Sequence, residues 1–279
     1  MSNGNQKASV RKSLDWVARL RAMPNDSTAK TLIVAIAVCL ICSVIVSSVV
    51  VLLRPTQEAN KALDQKEHIL EVVGLLNKDT DVDQQFKQVE KKVVDLATGD
   101  YVGIDRIDPA TYDQHKAPGD PMQSTRIPPE RDVANIGWRE KYSLVYLVKQ
   151  NGRTKYVIIP VRGLGLYSTL HGFLALEADA ITIHGFSVYE HEETPGLGGE
   201  VDSPKWRAQW KSKVIYDENG DLQLRVIKGS VDASKPDARY QVDGLTGATL
   251  TSRGVHNMLR YWLGDDGFGP FLKKINSAR

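Results

Sequence analysis

Asp243-Gly-Leu-Thr-Gly-Ala-Thr249 gathers a carboxylate, two threonine hydroxyls and two glycines into one short stretch. Gly244 and Gly247 permit a tight loop in which backbone N–H groups approach a ligand closely. Behind it, Val255, Met258, Leu259, Trp262 and Leu263 recur at helical spacing. The loop should therefore feed an amphipathic helix, with Thr251 or Ser252 as its cap. Unpaired N–H groups and the helix dipole make such a junction an anion site. The same residues would equally serve a capped helix after an Asp-Gly turn, and spacing alone does not choose between the two.

Two earlier stretches hold further candidate groups. In His191-Glu-Glu-Thr-Pro-Gly-Leu-Gly198, Pro195 and the glycines describe a rigid turn with exposed backbone. Such a turn can press N–H groups and the Leu197 side chain against a flat ring, or be an ordinary surface turn. His191 and Glu193 could be an acid–base pair or metal ligands, but they lack the His-Glu-x-x-His spacing and a third partner that a metal would need. In Pro160-Val-Arg-Gly-Leu-Gly-Leu-Tyr-Ser-Thr169, Gly163-Leu-Gly165 is no dinucleotide fingerprint, because Ser168 stands where the third glycine belongs. Cys39 and Cys42 share a helix face, but two thiols cannot complete a four-ligand site, so they read as small packing residues. No Ser-His-Asp arrangement stands out for a hydrolase.

The elements that must hold these groups follow from pattern. Thr31–Leu53 is uncharged and almost wholly apolar, long enough to span a bilayer once. Residues 1–30 form a basic tail, in which Val10, Leu14 and Val17 fit either a surface helix or a solvated segment. That charge asymmetry puts the N-terminus in the cytoplasm and the rest outside, in a bacterial periplasm. Ala59–Leu76 and Gln84–Ala97 show helical spacing, and five of the chain's 12 prolines crowd an irregular excursion over residues 105–132. Tyr142–Val148 and Lys155–Val161 flank Asn151-Gly152, and Val214–Tyr216 and Leu222–Ile227 flank Asn219-Gly220, two hairpin signals. Phe173–Leu176 and Ile181–Tyr189 read as two further strands.

The expected organisation is a tail over 1–30, a membrane helix over 31–53, a helical and proline-rich segment over 54–140, and a ligand-binding domain over 141–279. The fold class is α+β, with antiparallel strands and flanking helices. A net charge of +2 over 279 residues gives no reason to expect nucleic acid as a partner. Both cysteines lie in the apolar run, so the remainder has no thiol chemistry of its own.

Asp243-x-x-Thr246-Gly247-Ala248-Thr249 resembles the flavinylation motif Asp-x-x-(Ser/Thr)-Gly-Ala-(Ser/Thr), in which a flavin transferase esterifies the final threonine with the phosphate of FMN. The 191–198 and 160–169 stretches resemble the two loops that accompany it in FMN-binding domains of respiratory complexes. Three motifs in this order behind one membrane helix resemble the C-subunit family (NqrC) of Na+-translocating NADH:quinone oxidoreductases. The resemblance implies FMN bound covalently to Thr249, beside Thr246, Gly247 and Ala248, with Asp243 read by the transferase. It also implies Thr194, Gly196 and Leu197 against the isoalloxazine, and Tyr167, Ser168 and Thr169 near it, Tyr167 standing where tryptophan is the readier expectation. The implied function is electron transfer among partner subunits of a membrane complex that oxidises NADH, reduces ubiquinone and exports Na+. This chain itself has no NADH fingerprint. The G subunit of the related Rnf complex shares the motif, but the proline-rich excursion and basic tail favour the first family. A reading of another class is an anchored periplasmic binding module with no redox cofactor.

Overall fold

The computed structural model describes residues 22–24, 27–77 and 79–277. The surface helix expected around Val10–Val17 lies outside them. The chain divides into two units, Met1–Lys61 and Ala62–Arg279. A single helix, α1 (Thr28–Val72), includes both the apolar run and most of the helical stretch expected separately over Ala59–Leu76. Arg54 and Pro55 do not end it. Pro55 removes one N–H from the helical ladder, and Arg54 pairs with Glu58 one turn on. The apolar part of α1 is long and apolar enough to cross a membrane, with side chains such as Leu32, Ile36 and Leu52 exposed.

The second unit is built on an antiparallel sheet. Its strands are β1 (Val89–Asp95), β2 (Tyr101–Val102), β5 (Tyr142–Gln150), β6 (Arg153–Leu164), β7 (Thr169–Glu177) and β8 (Ile183–Glu190). They lie in the order β2-β1-β5-β6-β7-β8. β1 and β2 come from the stretch before residue 141 and complete the same sheet as the later strands. The Asn151-Gly152 turn is present, and both residues have positive φ (54° and 76°), as a two-residue hairpin requires.

Gln84–Ala97 is the clearest departure from expectation. A short helix, α2 (Val82–Phe86), is followed by β1 rather than by more helix. The Phe86, Val89, Val93 and Leu96 spacing suits a helix, but the adjacent pair Val93 and Val94 is fully buried on both sides. Val89 and Val93 join one apolar cluster with Tyr146, Ile158 and Phe173, whereas Val94 and Leu96 join another with Leu147, Ile159 and Leu174. Alternation across a strand puts adjacent residues on opposite faces, so a sheet buried on both faces accounts for both valines.

The second hairpin is also absent as such. Tyr216 and Leu222 form only an isolated bridge. Asp217 organises the turn instead, its carboxylate accepting from the N–H groups of Asn219 and Asp221 and from the Gln223 amide. Two residues of the expected second arm form β9 (Arg225–Val226), which pairs in parallel with β10 (Gln241–Val242). The proline-rich excursion is irregular. It carries a 3-10 turn over Ala117–Gly119 and β3 (Ser124–Arg126), paired with β4 (Trp138–Glu140).

The sheet face that bears on function is covered by α4 (Thr249–Trp262) and α5 (Gly269–Ser277), with a short α3 (Pro204–Arg207) contributing Trp206 to the same cluster. Val255, Met258, Leu259 and Trp262 of α4 are buried against it, as the spacing predicts. Three features fix α4 along β6. Trp262 Nε1 donates to the Arg162 carbonyl at 2.7 Å. The Arg162 guanidinium lies over the Trp262 ring and pairs with the fully buried Glu140 at 2.9 Å. At Gly254, a β-carbon would stand 2.5 Å from the Leu164 carbonyl oxygen and 3.0 Å from Gly165 Cα. The opposite face is covered by Ile69, Leu70, Val72 and Val73, at and just beyond the end of α1.

Gly254→Ala should therefore lower stability by about 1–3 kcal/mol through overpacking, even though alanine is favoured by about 1 kcal/mol in a helix interior. Denaturant unfolding of the full chain in detergent checks this. Unchanged or raised stability would rule out the close helix–strand approach.

Candidate functional site

The Asp243–Thr249 loop has a buried half and an exposed half. Asp243 is held on three sides. Its Oδ1 accepts from Val231 N–H at 2.7 Å, its N–H donates to Gln209 Oε1 at 3.1 Å, and its carbonyl accepts from Trp206 Nε1 at 2.8 Å. Gly244 N–H donates to the Gly229 carbonyl, and a β-carbon there would meet the Ile227 carbonyl at 2.5 Å. Nearby, burial lowers the Lys213 ammonium below its usual range, with the Asp243 carboxylate opposing that shift. Leu245 and Ala248 are buried, while Thr246, Gly247 and Thr249 are exposed. Gly247 has φ +76°, the left-handed conformation that glycine adopts at no steric cost.

Thr249 is the first residue of α4, one turn earlier than a Thr251 or Ser252 cap would allow. Ala248 occupies the N-cap position, with no side-chain hydrogen bond. Thr251 and Ser252 lie inside the helix because both hydroxyls have tertiary work. Ser252 Oγ accepts from Leu245 N–H and donates to the Ala248 carbonyl, pinning the loop to the first turn. Thr251 Oγ1 donates to Glu193 Oε2. The first-turn N–H groups thus begin beside an exposed threonine hydroxyl, the arrangement that favours an anion.

Glu193 joins this helix end to the other two stretches. It is 4% exposed. Its Oε1 accepts from Leu166 N–H at 2.8 Å and Tyr167 N–H at 3.1 Å, while Oε2 takes the Thr251 hydroxyl. A β-carbon at Gly165 would collide with Oε1, and one at Gly198 would stand 2.5 Å from Oε2. These two glycines leave the space that the carboxylate fills. Ser168 adds a second tie, its Oγ accepting from Glu192 N–H at 2.9 Å and its carbonyl accepting from Gly165 N–H. Thr169 begins β7.

The 194–198 turn closes on itself. The Thr194 carbonyl accepts from Leu197 and Gly199 N–H groups, and Gly196 has φ +75°. Leu197 is exposed and lies beside the motif loop, its Cδ2 3.0 Å from where a Gly247 β-carbon would be. Leu164, Leu166, Tyr167 and Leu250 are also exposed. Farther along α4, burial lowers the His256 imidazole pKa, reinforced by Arg260 and Arg225.

The structure thus connects the three stretches singled out from sequence: 165–169 to 191–193 through Ser168 and Glu193, 191–193 to α4 through Thr251, and 194–198 to the motif loop through Leu197. Sequence reasoning missed the central place of Glu193, which it weighed only as an acid–base or metal residue. The signal that could have found it was the pair of glycines, Gly165 and Gly198, each too close to another group to carry a side chain.

Comparisons with known proteins agree with one another. The FMN-binding domain family matches residues 165–264, which contain the 191–198 and 243–249 stretches and residues 165–169 of the first. The C subunit of the Na(+)-translocating NADH-quinone reductase of Pseudomonas aeruginosa is 50% identical over 257 residues, covering 91% of this chain and 98% of that protein. The protein of the same name from Vibrio vulnificus is 46% identical over 255 residues, covering 91% and 98%. Among solved structures, NqrC of Shewanella oneidensis superposes with a TM-score of 0.70 at 31% identity, covering 78% of this chain and 99% of that one. The chain belongs to the C-subunit family of the Na+-translocating NADH-quinone reductases.

Proposed function

We propose that this chain is the membrane-anchored, flavin-carrying electron-transfer subunit of a Na+-translocating NADH:quinone reductase, with FMN joined through its phosphate to Thr249. The observation that carries the proposal is the helix start. Thr249 presents an exposed hydroxyl at the first position of α4, behind an N-cap, Ala248, that has no side chain able to occupy the anion site. A phosphodiester on Thr249 Oγ1 keeps one negative charge, which the helix N-terminus stabilises. Bound there, FMN supplies one- and two-electron redox chemistry that no side chain of the protein can supply.

The chain's own residues account for the rest of the fit. Leu197, held outward by the turn around Gly196, offers an apolar surface beside Gly247 for a flat ring. Thr194, Tyr167, Ser168 and Thr169 border the same region, and Thr246 lies one turn of loop from the attachment oxygen as a supporting hydrogen-bond partner. Asp243 is the residue read by the flavin transferase. Covalent attachment keeps the cofactor on a domain outside the cytoplasm, where lost flavin is not readily replaced. Oxidation of NADH and passage of Na+ fall to partner subunits of the complex. The N-terminus lies in the cytoplasm and residues 54–279 in the periplasm, a reading supported by the basic residues that precede the apolar run.

Thr249→Ala should abolish flavin that survives denaturation, whereas Thr249→Ser, which keeps the hydroxyl, should retain some. Co-expression with a flavin transferase followed by in-gel flavin fluorescence reads both variants, and a fluorescent Thr249→Ala protein would end the assignment. Leu197→Asp should change the flavin's fluorescence or potential while leaving the covalent bond intact, and an unchanged spectrum and potential would count against ring contact. A reporter fused after Arg279 should be active only when it needs the periplasm. Activity of a cytoplasm-dependent reporter at that position would reverse the topology.

A further inference from the structure

Among the described residues, Glu193 is the one carboxylate buried between the three stretches of the site, and nothing in the proposed chemistry uses it. It is fully partnered, by two N–H groups from Leu166 and Tyr167 and one hydroxyl from Thr251, all of them donors. Among the described residues, no cationic side chain shares those contacts. His191 is the nearest imidazole by sequence, but it accepts the Glu193 backbone N–H on Nδ1 and meets Asp202 through Nε2 at 3.4 Å. The site therefore holds a buried anion balanced by dipoles alone. Its surroundings are the exposed Leu166, Tyr167 and Leu197, and an α4 turn whose first residue is Thr249.

Resting on the reading that FMN sits on Thr249, we propose that Glu193 is an electrostatic positioning residue. It locks the three loops together, and its buried negative charge sets the bound flavin's reduction potential below the value the same loops would give without that charge. The physical basis is direct. An electron accepted by the ring from an external reductant adds negative charge there unless a proton follows it. An anion held nearby in a region of low dielectric opposes that gain, and solvent screens it little because Glu193 is buried. The three donors moderate this field. Removing one of them exposes more of the charge, and removing the charge itself lifts the opposition.

Two substitutions separate charge from scaffolding because the proposal moves the potential in opposite directions. Glu193→Gln keeps one carbonyl oxygen for the Leu166 and Tyr167 N–H groups and offers an amide to the Thr251 hydroxyl, which then accepts. It removes the charge and preserves the ties. Thr251→Val keeps the shape but withdraws a donor from the carboxylate. Full-length protein carrying covalent flavin, in detergent at one fixed pH, would be titrated with dithionite against reference dyes. Hydrogen exchange at the Leu166 and Tyr167 amides would be followed in parallel.

The expected result is a raised midpoint potential for Glu193→Gln, a lowered one for Thr251→Val, and amide protection close to wild type in Glu193→Gln. An unchanged potential in Glu193→Gln, or shifts of the same sign in both variants, would overturn the proposal and leave Glu193 as scaffold only. If Glu193→Gln does not fold, the Thr251→Val potential decides alone: lowered supports the charge, unchanged or raised refutes it. Absence of covalent flavin from the wild-type protein would instead refute the reading on which this inference rests, and amide exchange would still report whether Glu193 ties the loops.

Discussion

The Glu193 carboxylate is the constraint on which the site's geometry depends. Its three donors come from two other segments, the loop after β6 and the first turn of α4. A surface carboxylate would gain little from such contacts, but a buried one must have them, since an unpartnered buried charge is far costlier than a partnered one. Removing any one segment therefore leaves the others with an unsatisfied group, which couples three loops that share no secondary structure. The glycines at 165 and 198 are the steric counterpart of this coupling, because each vacates the volume that the carboxylate needs.

What Glu193 holds at one end, the sheet holds at the other. α4 lies along β6 through Trp262, the Arg162–Glu140 pair and the close approach at Gly254. The helix axis is thus set by contacts in its middle and C-terminal turns, while Thr249 at its N-terminus is left to face solvent. Two partnered polar groups beside the motif follow the same division. Ser252 closes the motif loop onto the helix instead of capping it, and Asp243 organises neighbouring backbone. The exposed residues of the motif, Thr246, Gly247 and Thr249, stand on a foundation made by the buried ones.

Much of this was legible in the sequence where the signal was local. The Asn151-Gly152 hairpin needs two consecutive positive φ angles, and that pair of residues announces them. The α4 pattern reads correctly because one face of the helix meets one core. The spacing over Gln84–Ala97 suggests a helix because the adjacent Val93 and Val94 are buried on opposite faces of β1, which removes the period-two alternation that identifies a strand. The Asn219-Gly220 turn exists, yet no long hairpin grows from it, because the Val214 and Ile215 N–H groups donate to Arg239 and Ile181 instead of to the facing arm. At the site, the loops could be picked out by their glycines, but their junction could not. Glu193 meets Thr251 across 58 positions of chain, and nothing at either residue alone names the other.

The place of β1 in the sheet has a kinetic consequence. β5, β6, β7 and β8 follow one another as a meander of neighbouring hairpins, each needing only a short turn to pair. β1 pairs with β5 only after the whole stretch between Asp95 and Tyr142 has been looped out. Closing that loop costs entropy before any ladder bond offsets it, and contacts distant in sequence slow folding. The meander should therefore assemble ahead of β1 and leave the β5 edge open in the meantime. An unpaired edge of this length invites pairing with other chains. In this fold the proline-dense excursion is the segment whose closure ends that period of vulnerability.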